Sequence, residues 1–188
     1  MCKRLSDWLH RVSNSWVTLS ALAIFLLFSA LVLPRQAARA EQDTEDAGSP
    51  DMSFYYSAGD LYEMAEAYGE EGREAYVRAR FTFDMIWPLV YTLFLSTAIS
   101  WLFSEAFAPD SRWQRGNLAP VLAALFDYLE NVSASLVMLR YPNRTAVVDM
   151  LAPVFTLVKW VVLGASFALL FAGVVVAVWQ WSRKRSRR

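Results

Sequence analysis

The sequence predicts an all-α protein: a polytopic four-helix transmembrane bundle with a short extracytoplasmic amphipathic helical hairpin between helices 1 and 2. Of its 188 residues, 56% are hydrophobic and 19% are charged, whereas soluble domains average about 45–50% apolar and about 25% charged residues. Four stretches are almost wholly apolar, and each is near or beyond the roughly 20 residues that a helix needs to cross a bilayer. The composition therefore indicates an integral membrane protein.

Charge is segregated along the chain, although the formal net charge is zero. The N-terminus carries Lys3, Arg4 and Arg11, and residues 183–188 are almost all basic, whereas acids outnumber arginines between positions 34 and 84. Lys and Arg collect on the cytoplasmic flanks of membrane spans. We therefore expect both termini in the cytoplasm, an acidic segment outside, and an even number of spans.

The first elements in chain order are a basic cytoplasmic N-terminus, residues 1–15, and a first span, residues 16–33. Ala38-Arg39-Ala40 resembles a signal-peptidase site, so cleavage of residues 1–40 as a signal peptide remains an alternative to an uncleaved span. Residues 34–56 are rich in Ala, Gly, Ser, Pro and acids, which predicts a flexible acidic outer linker.

Residues 57–80 are predicted to form outer amphipathic helices that act as a lid. Ser57 and Asp60 have capping-box spacing, and apolar residues then recur at helical spacing in Leu61, Met64, Ala65 and Tyr68. Gly69 and Gly72 are expected to bracket a break. The following helix is expected to run without interruption into the second span.

The remaining elements alternate between spans and short connections. Asn117 is expected to cap the third span, and the fourth span exceeds the bilayer core of about 30 Å, so it must tilt or protrude. The predicted bounds are a second span at 81–103, a cytoplasmic loop at 104–116, a third span at 117–139, an outer loop at 140–149, a fourth span at 150–181 and a basic cytoplasmic tail at 182–188.

Polar residues interrupt the third span. Asp127, Glu130 and Asn131 stand at i, i+3 and i+4, which places them on one helix face. A charge at the centre of a spanning helix costs about 2.5–3.5 kcal/mol on insertion scales. These side chains are therefore expected to point inward, with the leucines of the helix facing lipid.

Lys159 in the fourth span is the expected counter-charge for Glu130 or Asp127. Its face is small and partly polar, but its depth also allows the side chain to snorkel to the interface without pairing. Both alternatives follow from the residues alone.

The second span and the lid supply the remaining candidate site residues. Asp84 lies at the outer end of the second span, on the same side as Tyr91. It is equally compatible with a pocket role and with an interfacial ion pair to Arg78 or Arg80. Arg73 and Tyr76 of the lid are expected to close over the site.

The sequence offers no recognisable catalytic apparatus. His10 is the single histidine, which excludes zinc or haem sites built from paired histidines, and no nucleophile elbow, phosphate loop or dinucleotide motif is present. We therefore expect no catalytic residue, no metal ligand and no cofactor, and an enzyme is not indicated.

Several short motifs together resemble those of a family of small, functionally uncharacterised bacterial four-span integral membrane proteins. The resemblance covers roughly residues 54–165 and implies no activity, but it suggests a bacterial inner membrane. The motifs are Gly69-Glu70-Glu71-Gly72-Arg73-Glu74-Ala75-Tyr76, Asp84, Leu125-Phe126-Asp127-Tyr128-Leu129-Glu130-Asn131, Arg140-Tyr141-Pro142 and Thr156-Leu157-Val158-Lys159-Trp160.

The leading functional hypothesis is a polar, outward-facing intramembrane cavity that binds a lipid or other amphiphile. The alternatives are proton- or ion-coupled transport by an oligomer, and an accessory or assembly subunit of a membrane complex. Membrane lipid is the expected partner, with a homo-oligomer or another membrane protein as a further option, and nucleic acid is not expected. The proposed ligand-binding residues are Asp84, Asp127, Glu130, Asn131, Lys159, Tyr91, Arg73 and Tyr76.

Overall fold

The computed structural model of the chain describes residues 2–43, 48–50 and 53–185. Within these residues all regular structure is helical, without strands. Residues 44–47 and 51–52 of the predicted linker and residues 186–188 of the predicted basic tail lie outside the described residues.

Four helical stretches are long and apolar enough to cross a membrane: Ser15–Ala40, Gly69–Ala106, Arg112–Arg140 and Val148–Gln180. The protein is therefore a multi-pass helical membrane protein, as the sequence predicts. The individual elements are α1 (Cys2–Val12), α2 (Ser15–Leu31), α3 (Leu33–Asp43), α4 (Ala58–Ala67), α5 (Gly69–Arg80), α6 (Phe83–Ala106), a 3₁₀ helix (Arg112–Leu118), α7 (Ala119–Arg140) and α8 (Val148–Arg185).

The beginning of the predicted flexible linker is helical instead. Helix α3 occupies Leu33–Asp43, where the sequence analysis expected an unstructured tether. Its Ala, Gln, Arg and Glu residues are strong helix formers. A polar composition disfavours a buried core, but it does not disfavour a helix, so the prediction of an unstructured segment is wrong for these residues.

The lid forms two helices that the sequence largely anticipated. The Ser57 hydroxyl accepts from the Asp60 amide, and the Asp60 carboxylate accepts from the Ser57 amide, which completes the expected capping box. Gly69 begins α5 with a φ of 62°, a conformation that glycine adopts without a steric penalty. Gly72 lies inside α5, so the predicted break does not extend to it. However, a turn at Phe81 and Thr82 separates α5 from α6, so the predicted uninterrupted run into the second span is wrong.

The chain divides into two compact units. The first unit contains Met1–Phe25, Val90–Leu122 and Val161–Arg188, and the second contains Leu26–Leu89 and Ala123–Trp160. Each unit is described separately below.

Two glycines allow their backbones to lie close to the Phe103 ring in the first unit. A Cβ atom on Gly116 would lie 3.1 Å from Phe103 Cε2, and one on Gly173 would lie 3.1 Å from Phe103 Cε1. Phe103 itself is 1% exposed. Glycines at such positions let spanning helices pack closely, and here they make room for one aromatic ring.

Asn117 joins three elements of the first unit. Its Oδ1 accepts from Ser6 Oγ at 2.8 Å, and its Nδ2 donates to the Ser6 carbonyl oxygen at 3.2 Å and to Ser100 Oγ at 2.9 Å. These bonds tie α1 and α6 to the 3₁₀ helix. The expected role of Asn117 as a cap of the third span is wrong, because α7 begins at Ala119 and the amide is committed elsewhere.

His10 adds a second attachment for α1 in the same unit. Its Nδ1 lies 3.1 Å from the Ser100 carbonyl oxygen and its Nε2 lies 3.0 Å from the Gln114 carbonyl oxygen. Because carbonyl oxygens only accept, both contacts are hydrogen bonds only when both ring nitrogens carry a proton. The N-terminal segment is thus an ordered helix docked by two polar side chains, Ser6 and His10.

The core of the second unit lies between the lid and the ends of α7 and α8. Helix α4 contributes Leu61 and Ala65, both 0% exposed, so its apolar stripe packs against protein. The cluster consists of Tyr56, Leu61, Ala65, Tyr68, Tyr76, Ala134, Val137, Met138 and Ala152.

Tyr68 gives this core a measurable signature at alkaline pH. Its hydroxyl donates to the Gly48 carbonyl oxygen, and burial raises the pKa of Tyr68 from 10.0 to about 12. The folded state therefore holds this proton more tightly than the unfolded chain. The resulting stabilisation is complete below pH 10 and is lost as the pH rises through about 12.

We expect the Tyr68→Phe variant to lose less stability than the parent protein between these two pH values, because phenylalanine has no proton to lose. A pH titration of phenolate absorbance should also show one tyrosine fewer titrating near pH 12 in the variant than in the parent protein. If the same number of tyrosines titrated near that pH in both proteins, the raised pKa would not belong to Tyr68.

Candidate functional site

The polar face of α7 is buried, and its apolar face is exposed. Asp127, Glu130 and Asn131 are 5%, 1% and 3% exposed, respectively. The larger apolar side chains on the opposite face are 37–53% exposed and include Leu122, Leu125, Leu129, Val132 and Leu136. In a membrane protein such a surface faces lipid, so the inward orientation predicted for the acids is confirmed.

Glu130 and Lys159 form a direct ion pair in the second unit. Lys159 Nζ lies 2.7 Å from Glu130 Oε2, and both side chains are at most 3% exposed. The ammonium also lies 5.1 Å from the centroid of the Trp160 ring, within the range of a cation–π contact. The pairing alternative is therefore correct, and Lys159 does not snorkel.

Asn131 lies on the same face as this pair, next to Glu130 in sequence. Among the described residues, neither its Oδ1 nor its Nδ2 has a hydrogen-bond partner. The Ser135 hydroxyl, one helical turn further along α7, is also buried without a partner there. Ser135 was not among the sequence candidates, although the i, i+4 spacing from Asn131 was available as a signal.

Burying an amide without partners is costly. Mutational data place the cost of an unmade hydrogen bond at about 1–3 kcal/mol, and transfer to a medium that cannot hydrogen-bond costs more. Two such groups one turn apart therefore mark a place where additional polar atoms would stabilise the protein.

Asp84 belongs to a second ion pair, with Arg80. Arg80 Nη1 lies 2.7 Å from Asp84 Oδ2 at i, i+4 spacing, and both side chains are 7% exposed. The Arg80 guanidinium also lies 4.6 Å from the centroid of the Tyr76 ring. Of the two alternatives for Asp84, the ion pair is the one formed.

The other expected site residues make contacts elsewhere in the second unit or lie in the first unit. Arg73 Nη1 donates to the Ala65 carbonyl oxygen at 2.9 Å, and its guanidinium lies 4.8 Å from the centroid of the Tyr141 ring. Tyr76 is buried with its ring centroid 5.9 Å from that of Tyr68. Tyr91 is 1% exposed and belongs to the first unit.

The buried cluster of Asp127, Glu130, Asn131 and Lys159 contains two carboxyl groups, one ammonium and one amide. The ammonium lies 2.7 Å from a carboxylate oxygen of Glu130, and the Asn131 amide has no hydrogen-bond partner among the described residues. The unmet amide suits a guest that both donates and accepts hydrogen bonds. No family model, curated protein or solved structure matches the chain, so this chemistry is inferred from the residues themselves.

Proposed function

We propose that the protein binds the polar head of a lipid or other amphiphile inside the membrane, at the buried cluster Asp127, Glu130, Asn131 and Lys159. The observation that supports this is the Asn131 amide, which is 3% exposed and has no hydrogen-bond partner among the described residues. A polar head group would satisfy both its donor and its acceptor, and the surrounding bilayer would supply the ligand.

The Asn131 amide determines which head groups suit the site. Its Oδ1 accepts and its Nδ2 donates hydrogen bonds, and neither atom has a partner among the described residues. A hydroxyl or amide head group both donates and accepts, so it would satisfy both atoms. The cluster is therefore expected to prefer a neutral amphiphile with such a head group.

The positions of charged residues suggest how the site is reached. Basic residues flank both ends of the chain and acids dominate the segment between positions 34 and 84, so both termini are proposed to face the cytoplasm. The cluster then lies in the outer half of the membrane, proposed to be a bacterial inner membrane, and an amphiphile would enter from the outer leaflet.

Native mass spectrometry of the purified protein tests the proposal. The parent protein should retain a small molecule, and retention should fall about tenfold or more in Asn131→Leu, which removes about 1.5–3 kcal/mol of polar contact. The ligand-free Asn131→Leu protein should be more stable than the ligand-free parent, because a buried unmet amide has been replaced by an apolar side chain.

The combination of higher stability and lost retention separates binding from a role in joining helices. If Asn131 only joined helices, Asn131→Leu would destabilise the ligand-free protein. Ser96→Ala is a matched control, since Ser96 is also buried with a hydroxyl that has no partner among the described residues but lies in the first unit; it should leave retention unchanged. A ligand-free parent protein, or equal retention in Asn131→Leu, would contradict the proposal.

A further inference from the structure

A groove between α3 and α5 lies apart from the buried cluster. It encloses about 260 Å³ and is lined from both helices and from the segment before α4. Three arginines line it: Arg39 from α3, and Arg78 and Arg80 from α5. No residue of the cluster Asp127, Glu130, Asn131 and Lys159 takes part.

Among the described residues, the lining of the groove contains arginines and no acid, so this part of it is cationic. Arg80 is neutralised by its ion pair with Asp84. Arg39 and Arg78 are exposed, and no ion pair of either is found within the described parts of the chain. Two guanidinium groups thus remain available, and guanidinium matches the geometry of phosphate oxygens better than any other side chain.

An apolar surface begins directly beside this groove. Phe81 follows Arg80 in sequence and is 51% exposed, and the exposure continues along α6 at Met85 (45%) and Leu89 (60%). Met85 and Leu89 lie one turn apart on α6 and form one stripe there, and Phe81 lies in the turn directly before that helix. The groove is therefore placed where a lipid-facing helix surface meets the polar boundary of the membrane.

We propose that this groove holds the phosphate of an anionic phospholipid, whose acyl chain lies along the exposed stripe of α6. Arg39 and Arg78 donate to the phosphate oxygens from opposite walls, and Arg80, held by Asp84 and by the Tyr76 ring, contributes to the lining without adding net charge. The proposal does not depend on the function proposed for the buried cluster, because the two sites share no residue.

Titration of the full-length protein in neutral detergent micelles with phosphatidylglycerol, followed by native mass spectrometry, tests the inference. Saturable binding is expected to the parent protein, and Arg39→Gln or Arg78→Gln should each weaken it about tenfold, as expected for one charge-assisted hydrogen bond of about 1.5 kcal/mol. Arg35→Gln is a matched control, since Arg35 is an exposed arginine of α3 that does not line the groove; it should change the affinity less than twofold.

Two further probes identify the source of the phosphate. Diacylglycerol with the same acyl chains should bind without any effect of Arg39→Gln, and inorganic phosphate should fail to displace phosphatidylglycerol. Displacement by inorganic phosphate would show a site for the free ion and overturn the lipid assignment. Equal weakening by all three arginine variants would indicate general attraction to negative charge and would also overturn it. Neither outcome tests whether the buried cluster retains a ligand, because that question is answered by comparing Asn131→Leu with the parent protein.

Discussion

Replacing Lys159 with methionine is expected to lower the free energy of unfolding by about 3–5 kcal/mol, the usual cost of removing one partner from a buried ion pair. The variant leaves Glu130 1% exposed and without its ammonium at 2.7 Å. Methionine has a similar length, so little packing is lost. Unfolding in mixed micelles at neutral pH measures the effect.

The double variant Lys159→Met with Glu130→Leu is the matched control. It replaces the whole pair with apolar side chains, which is often neutral or stabilising. We expect it to recover most of the stability that Lys159→Met loses. If the single variant were as stable as the parent protein, or the double variant were no more stable than the single one, the pair would not carry the energy assigned to it.

Replacing Asn117 with leucine is expected to release α1 and to destabilise the protein by about 2–4 kcal/mol. The variant removes three hydrogen bonds and leaves the buried hydroxyls of Ser6 and Ser100 without their amide partner, at about 1–3 kcal/mol for each group that stays unsatisfied. Hydrogen exchange of the amides in α1 should become faster, since those amides depend on docking for protection.

The matched control for this variant is Asn143→Leu, because Asn143 is exposed in the turn between α7 and α8. It should leave exchange in α1 unchanged. Unaltered exchange in the Asn117→Leu variant would instead show that His10 and packing alone hold α1.

Features that depend on the residues of a single helix could be predicted from the local sequence pattern. The spacing of Asp127, Glu130 and Asn131 gave their shared face, and the cost of charge in lipid gave its inward direction. The length of the Lys159 side chain allowed both pairing and snorkelling, so the sequence alone left the two open. The capping box of α4 was predictable for the same local reason, since its two hydrogen bonds join residues three apart.

Contacts between residues that are distant in the chain could not be predicted from local sequence patterns. Asn117 was expected to cap a helix because asparagine does so in general, yet its partners are more than 100 positions away in α1 and 17 away in α6. Likewise, Arg39 and Arg78 belong to segments with unrelated patterns, and nothing in either segment indicates that they line one groove.

The sequence by itself determined that the chain crosses a membrane in four helices and that the third turns its acids inward, because hydropathy and helical period act over a few consecutive turns. Tertiary structure alone decided that Glu130 forms an ion pair with Lys159, that α1 docks through Asn117, and that arginines from α3 and α5 line the same groove. Those outcomes depend on how the helices pack against one another. Helix packing is determined by the combined contacts of many side chains that are far apart in the chain.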